Sequence, residues 1–235
     1  AAKAKIVIAS QDLKKYKLAK KVIYYKPVKF KLNLPGKHIR SDAGAAWALA
    51  KALKVKDSDI RKGLAAFGGL ERRFELRGEV EGAKIYDDYA HHPTAIKVNI
   101  EAAKELYPKK KIWAVFQPHM FSRLATLFDD FASSLQLADR IIISDVFTRR
   151  EQGITKPSGK DLSRAVGPKA TYIGGDLVNV ANFLSRNAGK NDISKAKIQL
   201  IIDSPSFKKQ SVLAWTDIAD KHDGEINGSQ ISDSV

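Results

Sequence analysis

Two polar clusters hold the side chains best suited to chemistry. The first reads Asp87-Asp88-Tyr89-Ala90-His91-His92-Pro93-Thr94, the second Gln117-Pro118-His119-Met120-Phe121-Ser122-Arg123. Neighbouring residues on an extended segment point to opposite sides. One of Asp87 and Asp88 is therefore free to meet a sugar hydroxyl or a metal while the other serves the structure. The plainer alternative is a strand-end turn with solvated acids. His91 and His92 precede a helix whose amides and dipole attract anions, so a histidine there could help hold a phosphate or carboxylate. Equally, His92 could be a helix cap and His91 a surface residue. Two adjacent histidines make a poor chelate without ligands from elsewhere, and no metal ligand is assigned. His119 and Arg123 lie four residues apart at a helix start. Arg123 offers a planar fork that matches a carboxylate, although Asp129 or Asp130 could occupy it instead.

The elements that must place these clusters are legible from periodicity. Each cluster follows an apolar run and precedes a helical stripe, which puts both at the carboxyl ends of what read as neighbouring strands, where open α/β sheets bind ligands. Strands are expected at 74–80 and 83–87, joined by a tight turn, and at 111–116, 140–146, 170–173 and 198–202. A helix opens at Pro93 and buries Ile96, Ile100, Ala103 and Leu106. Leu124, Leu127, Phe128, Phe131 and Leu135 predict one continuous helix. Ser158 and Asp161 form a capping-box pattern for a helix to about Val166. A helix is expected over 177–184. This alternation predicts an α/β fold with a mostly parallel sheet. Upstream, 5–9 and 21–25 are β-like, and 28–34 alternates strictly, predicting a half-exposed strand. Ala43, Ala46, Trp47, Ala50 and Leu53 form a helical stripe, and a second helix from Asp57 carries Ile60, Leu64 and Phe67 on one face. Residues 223–235 are polar throughout and are expected to be disordered.

Composition narrows the class. The chain of 235 residues is 44% hydrophobic and 29% charged and has no cysteine. It can build a substantial core but no disulfide framework or thiolate metal site. It lacks an apolar run of spanning length, and its first ten residues lack a signal-peptide core, so a cytoplasmic location is expected. Of the net charge of +15, residues 1–40 supply +11, from twelve Lys and Arg against Asp12. Such a basic end could touch nucleic acid or an anionic surface, but no aromatic RNA-binding signature accompanies it. A solvated face is the expectation, and nucleic acid is not an expected partner. Gly36-Lys37-His38 lacks the spaced glycines of a phosphate loop.

Taken together, Leu34-Pro35-Gly36-Lys37-His38, Gly69-Leu70-Glu71-Arg72-Arg73-Phe74-Glu75, the Asp87–Thr94 cluster, and Phe116-Gln117-Pro118-His119 with Arg123 resemble the Mur ligase family, in its alanine-adding branch. Leu127-Phe128-Asp129-Asp130-Phe131-Ala132 and Ala138-Asp139 also fit, and the resemblance covers roughly residues 28–190. It implies an intact enzyme with a UDP-sugar domain, a central ATPase domain and a C-terminal Rossmann-like domain. In such an enzyme ATP, with Mg2+, activates the carboxylate of UDP-N-acetylmuramate, and L-alanine attacks the acyl phosphate to form an amide in peptidoglycan synthesis. By motif position it implies nucleotide-binding roles for His38, Arg73 and Asp88, and amino-acid-binding roles for His91, His119 and Arg123.

This chain departs from the family pattern in several places. No UDP-sugar domain or phosphate loop matches. Ile39 and Asp42 replace expected asparagines, and Met120 stands where many members have an arginine. After Asn191-Asp192 the tail is unrelated. The expectation is thus residues 1–70 as the remainder of a central ATP-binding domain, 71–202 as a Rossmann-like amino-acid-binding domain, and 203–235 as a divergent tail. No catalytic residue is assigned, and the chain is expected to be a fragment, inactive without a separately encoded N-terminal part. The alternative is a non-catalytic binding module or remnant with a basic N-terminal nucleic-acid surface.

Overall fold

A computed structural model describes residues 7–16, 22–80, 83–148, 151, 153–175, 179–180, 183–184 and 198–202. Contacts divide the chain into two compact units. One is Ala1–Leu70 with Glu101–Leu106, the other Glu71–Ile100 with Tyr107–Val235.

In the first unit, strands β1 (Val7–Ser10) and β2 (Val22–Tyr25) pair in parallel. Two helices follow, α1 (Lys37–Ala52) and α2 (Asp57–Ala66). Asp57 and Asp59 lie in the first turn of α2, where their charge favours the helix dipole. The predicted strand over 28–34 is absent. Its side chains do alternate between covered and exposed, but the segment has no ladder partner among the described residues, and Val28 N–H donates to the Arg40 carbonyl of α1 instead. Period-two alternation reports an extended backbone with one covered side, and strand pairing is a separate condition. Ile60 is buried as expected, whereas Leu53 and Phe67 are exposed at 68% and 48%, because both fall just past the ends of their helices.

The second unit is a six-stranded sheet in the order β3-β4-β8-β5-β6-β7. Its strands are β3 (Glu75–Val80), β4 (Ala83–Asp88), β5 (Ile112–Phe116), β6 (Arg140–Ile143), β7 (Ala170–Tyr172) and β8 (Ile198–Ile202). Only β3 runs antiparallel, as a hairpin partner of β4 with an irregularity between Leu76 and Gly78. The other pairings are parallel, joined by α3 (Pro93–Leu106), α4 (Phe121–Thr126), α5 (Phe128–Leu135) and α6 (Gly159–Val166). All five side chains of β5 are buried, as a strand covered on both faces requires. Trp113 and Val115 pack with Ile85, Ile142, Val180 and Leu184 on one face. On the other, Phe116 meets Phe131 of α5 at a 5.4 Å ring separation.

Three features differ from the sequence expectation or lie outside its test. β8 lies between β4 and β5, so the two clusters sit on next-nearest rather than neighbouring strands. The expected continuous helix is broken at Leu127, whose φ of −119° and ψ of 27° separate α4 from α5. An apolar stripe can persist across such a break, because the register of buried positions needs no unbroken hydrogen-bond ladder. The expected tail, and most of the helix expected over 177–184, lie outside the described residues. The capping box at α6 is present: Ser158 Oγ accepts from Asp161 N–H, and Asp161 Oδ2 accepts from Ser158 N–H at 2.9 Å. Gly159 is required there, since a Cβ would lie 2.0 Å from the Ser144 carbonyl oxygen at the end of β6.

Candidate functional site

The parallel strands β4, β8, β5 and β6 all end on one edge of the sheet, and the candidate residues of the second unit cluster there. Across that edge, β4 and β5 are separated by two strand spacings, about 10 Å, enough for small ligand groups to reach both clusters.

Asp88 closes β4 and is only 3% exposed. Its Oδ2 accepts the Phe74 N–H at 2.7 Å, and its carboxylate also bonds the Asn99 side chain of α3. Oδ1 is buried without a hydrogen-bond partner among the described residues. Burial pushes its pKa up to about 6, against the opposing pull of the Phe74 amide, the Asn99 side chain and the Arg73 charge. A buried carboxylate oxygen with an open acceptor site suits a hydroxyl donor such as a ribose. Arg73 itself is exposed. Asp87 points the other way, as adjacent strand residues must, and pairs with Arg72 Nε at 3.4 Å. Burial raises its pKa as well, with Arg72 opposing. The Arg72 guanidinium lies 4.8 Å from the Tyr89 ring centre, and the Arg72 carbonyl accepts the Tyr89 N–H. Asp87 is thus ion-paired through Oδ2, but its Oδ1, like that of Asp88, is buried without a hydrogen-bond partner among the described residues.

His91 is half-buried. Its Nδ1 lies 2.9 Å from the Tyr89 carbonyl, and its ring meets Tyr89 edge-on. Nε2 is the ring nitrogen not engaged by that carbonyl. His92 is exposed and accepts the Thr94 N–H. It is a cap of α3, the plainer of its two sequence readings.

The second cluster follows β5. Gln117 and Pro118 are buried, and His119 forms an isolated parallel bridge with Phe147, beyond the end of β6. Met120 has a φ of +69°, and Arg123 follows in the first turn of α4. Arg123 Nη1 is buried without a hydrogen-bond partner among the described residues. The competing acids proposed for it, Asp129 and Asp130, are exposed in the first turn of α5. Arg123 as a whole is half-buried, and a buried donor without an acceptor is costly, so Nη1 is chemically suited to an anionic group.

His38 belongs to the first unit, on the opening turn of α1. Its Nδ1 is buried without a partner among the described residues. Burial lowers its pKa, opposed by Asp42, so the ring is neutral at pH 7 and suited to hydrogen bonding rather than charge pairing. Gly36 makes room for it: at a φ of +103°, a Cβ would lie 2.7 Å from the His38 ring.

Arg73 lies near enough to Asp88 for its charge to act on that carboxylate, and His119 and Arg123 share the segment that opens α4. His38 lies in the other unit. Among the described residues no group of three or more His, Asp or Glu is placed to hold a metal ion. Asp88 Oδ1 in one unit and His38 Nδ1 in the other are each buried polar atoms without a hydrogen-bond partner among the described residues. Sequence reasoning missed Asn99, Phe147 and Glu151. Asn99 carried a signal, being a polar residue on the Ile96–Ile100–Ala103 face. Phe147 and Glu151 lie in a loop with no period to mark them.

Comparison with known proteins gives the family. The family model described as "Mur ligase, glutamate ligase domain" matches residues 72–194. The chain is 48% identical to UDP-N-acetylmuramate–L-alanine ligase of Alkaliphilus metalliredigens over 166 residues, covering 70% of this chain and 36% of that protein. It is 41% identical to the enzyme of the same name from Caldanaerobacter subterraneus over 167 residues, with the same coverage of each. It thus spans about a third of the length of the curated relatives it matches. Among solved structures, UDP-N-acetylmuramate-alanine ligase from Thermotoga maritima superposes with a TM-score of 0.62 at 24% identity, over 83% of this chain and 40% of that one. MurF from Acinetobacter baumannii gives 0.64 at 17% identity, over 92% and 52%. These last two likenesses concern the fold, while the family model covers more than half of the chain, and on that match the chain belongs to the Mur ligase family.

Proposed function

We propose that this chain supplies the amino-acid-binding part, and some of the nucleotide-binding part, of an ATP-dependent amide-forming ligase that joins L-alanine to UDP-N-acetylmuramate in peptidoglycan synthesis. The observation that carries the reading is the buried, unpartnered Nη1 of Arg123. A zwitterionic amino acid brings the carboxylate that this donor lacks, leaving the amine to act as nucleophile toward an acyl phosphate. On this reading His119, on the Arg123 segment, and His91, at the end of β4, also meet the amino acid. On the same reading Asp88 Oδ1 accepts a ribose hydroxyl of ATP, Arg73 lies beside it, and His38 meets the adenine. Magnesium, when present, neutralises phosphate charge, and its ligands come from a part of the enzyme other than the described residues.

Residues 1–70 act as the remainder of a central ATP-binding domain and 71–202 as the amino-acid-binding domain. Nothing in this sequence matches a phosphate loop, so ligation requires a further part that cradles the β- and γ-phosphates, and the chain alone is inactive. The relatives' names support L-alanine as the amino acid. The test is titration of the purified chain with L-alanine and with adenine nucleotide. Saturable L-alanine binding lost in Arg123→Ala, and nucleotide binding lost in Asp88→Ala, support the proposal. Binding indifferent to both substitutions contradicts it.

A further inference from the structure

The segment carrying His119 and Arg123 is held in an uncommon backbone shape. Met120 lies in the left-handed region at a φ of +69°, which L side chains seldom adopt. Such a turn persists only if its surroundings hold it, and the loop after β6 does so from three sides. Met120 N–H donates to the Phe147 carbonyl at 3.1 Å, and Phe147 N–H donates to the Pro118 carbonyl at 2.8 Å. The Phe147 ring lies 5.9 Å from the His119 ring. The third hold is Glu151: Oε2 accepts the Phe121 N–H at 2.5 Å, and Oε1 accepts the Ser122 N–H at 3.2 Å. Glu151 N–H in turn donates to Thr148 Oγ1 at 3.2 Å, which tightens its own loop.

The Phe121 and Ser122 amides open α4 and have no acceptor within the helix. An ionised carboxylate is the strongest side-chain acceptor for them. Glu151 is kept ionised: the Ser122 hydroxyl first, then the Ser122 and Phe121 amides and the charge of His119, hold its carboxyl below the ordinary range. One side chain therefore joins the loop after β6 to the first turn of α4, beside Met120.

We infer that Glu151 is the positioning residue of the amino-acid subsite: by accepting the first two amides of α4 it fixes the Met120 turn, and with it the placement of His119 relative to Arg123. This inference rests on the reading that His119 and Arg123 receive the amino acid. Glu151 acts through that segment and does not itself contact substrate.

The test uses the full chain, 15N-labelled, with Glu151→Ala and Glu151→Gln. In Glu151→Ala the Phe121 and Ser122 amides should exchange at least about tenfold faster, and the Kd for L-alanine should rise at least about tenfold. Glu151→Gln keeps an acceptor oxygen without the charge, and should raise Kd only about threefold. Added acetate should partly restore L-alanine affinity to Glu151→Ala and not improve the parent, an effect that a merely unfolded variant would not show. If Glu151→Ala fails to fold, the amide exchange and affinity of Glu151→Gln decide. Unchanged exchange at Phe121 and Ser122, or parental L-alanine affinity in the variants, overturns the inference. If the parent chain binds no L-alanine, the amino-acid reading falls instead. The exchange measurement then still decides whether Glu151 holds the turn.

Discussion

Replacing Asp88 by Asn should stabilise this protein at alkaline pH and do little in acid. Asp88 is 3% exposed, and burial raises its pKa from 3.8 to about 6. Below the unfolded value both states carry the proton, and the folded state keeps its full advantage. Between 3.8 and about 6 the folded state alone holds the proton. As pH rises through about 6, the folded carboxyl ionises in its dry setting and the advantage is gone. The interval corresponds to about 3 kcal/mol at about 1.4 kcal/mol per pH unit. Asn removes the charge but offers one acceptor where Asp88 serves both the Phe74 amide and Asn99. The expected net gain is therefore about 1–2 kcal/mol at pH 8. For a chain of this size that is a rise in Tm of roughly 3–6 °C. The assay is thermal unfolding of parent and variant from pH 4.5 to 8.5 in one buffer series, read as the difference between them so that other titrating groups cancel. The difference should grow through pH 6 and flatten above pH 7. A variant less stable than the parent at pH 8, or a difference independent of pH, would refute the argument that Asp88 is a desolvated charge.

Other outcomes follow from local geometry. Gly159→Ala places a Cβ against the Ser144 carbonyl, 2.0 Å away in the present backbone, and should cost about 3 kcal/mol in denaturant unfolding, as other overpacked sites do. Ser158→Ala removes the side-chain acceptor for the Asp161 amide in the α6 capping box, and a loss of about 1 kcal/mol should appear in the same measurement. If the basic residues 1–40 form a solvated face, binding to generic RNA at physiological salt should be weak. Tight binding that falls steeply with salt would favour the nucleic-acid reading.

The second unit was the more legible part of the sequence, and the reason is physical. Its central strands are short apolar runs buried on both faces, such as Ile112–Phe116 and Ile141–Ile143, and its helices carry wide apolar stripes. Period and composition therefore report the same fold. The Ser158–Asp161 box could be read outright, because both partners lie within one turn. The position of β8 was less accessible: periodicity finds a strand at Ile198–Ile202, but strand order depends on contacts between segments far apart in sequence. The same limit hid Glu151, whose partners lie about 30 residues away, and made 28–34 look like a strand when its partner is the carbonyl of Arg40. Asp88 and Arg123 stood out through their motifs. What the structure adds is the partner of each acid, Arg72 for Asp87 and the Phe74 amide for Asp88, with a buried Oδ1 left open on both among the described residues.

The central claim is that Arg123 receives an amino-acid carboxylate. Calorimetric titration of the chain with L-alanine and with L-alaninamide, which keeps the amine and methyl group but lacks the carboxylate, tests it directly. Saturable binding of L-alanine, at least about tenfold weaker binding of L-alaninamide, and loss of L-alanine binding in Arg123→Ala are the predicted results. Equal binding of the two compounds, or undiminished L-alanine binding by Arg123→Ala, would contradict the account.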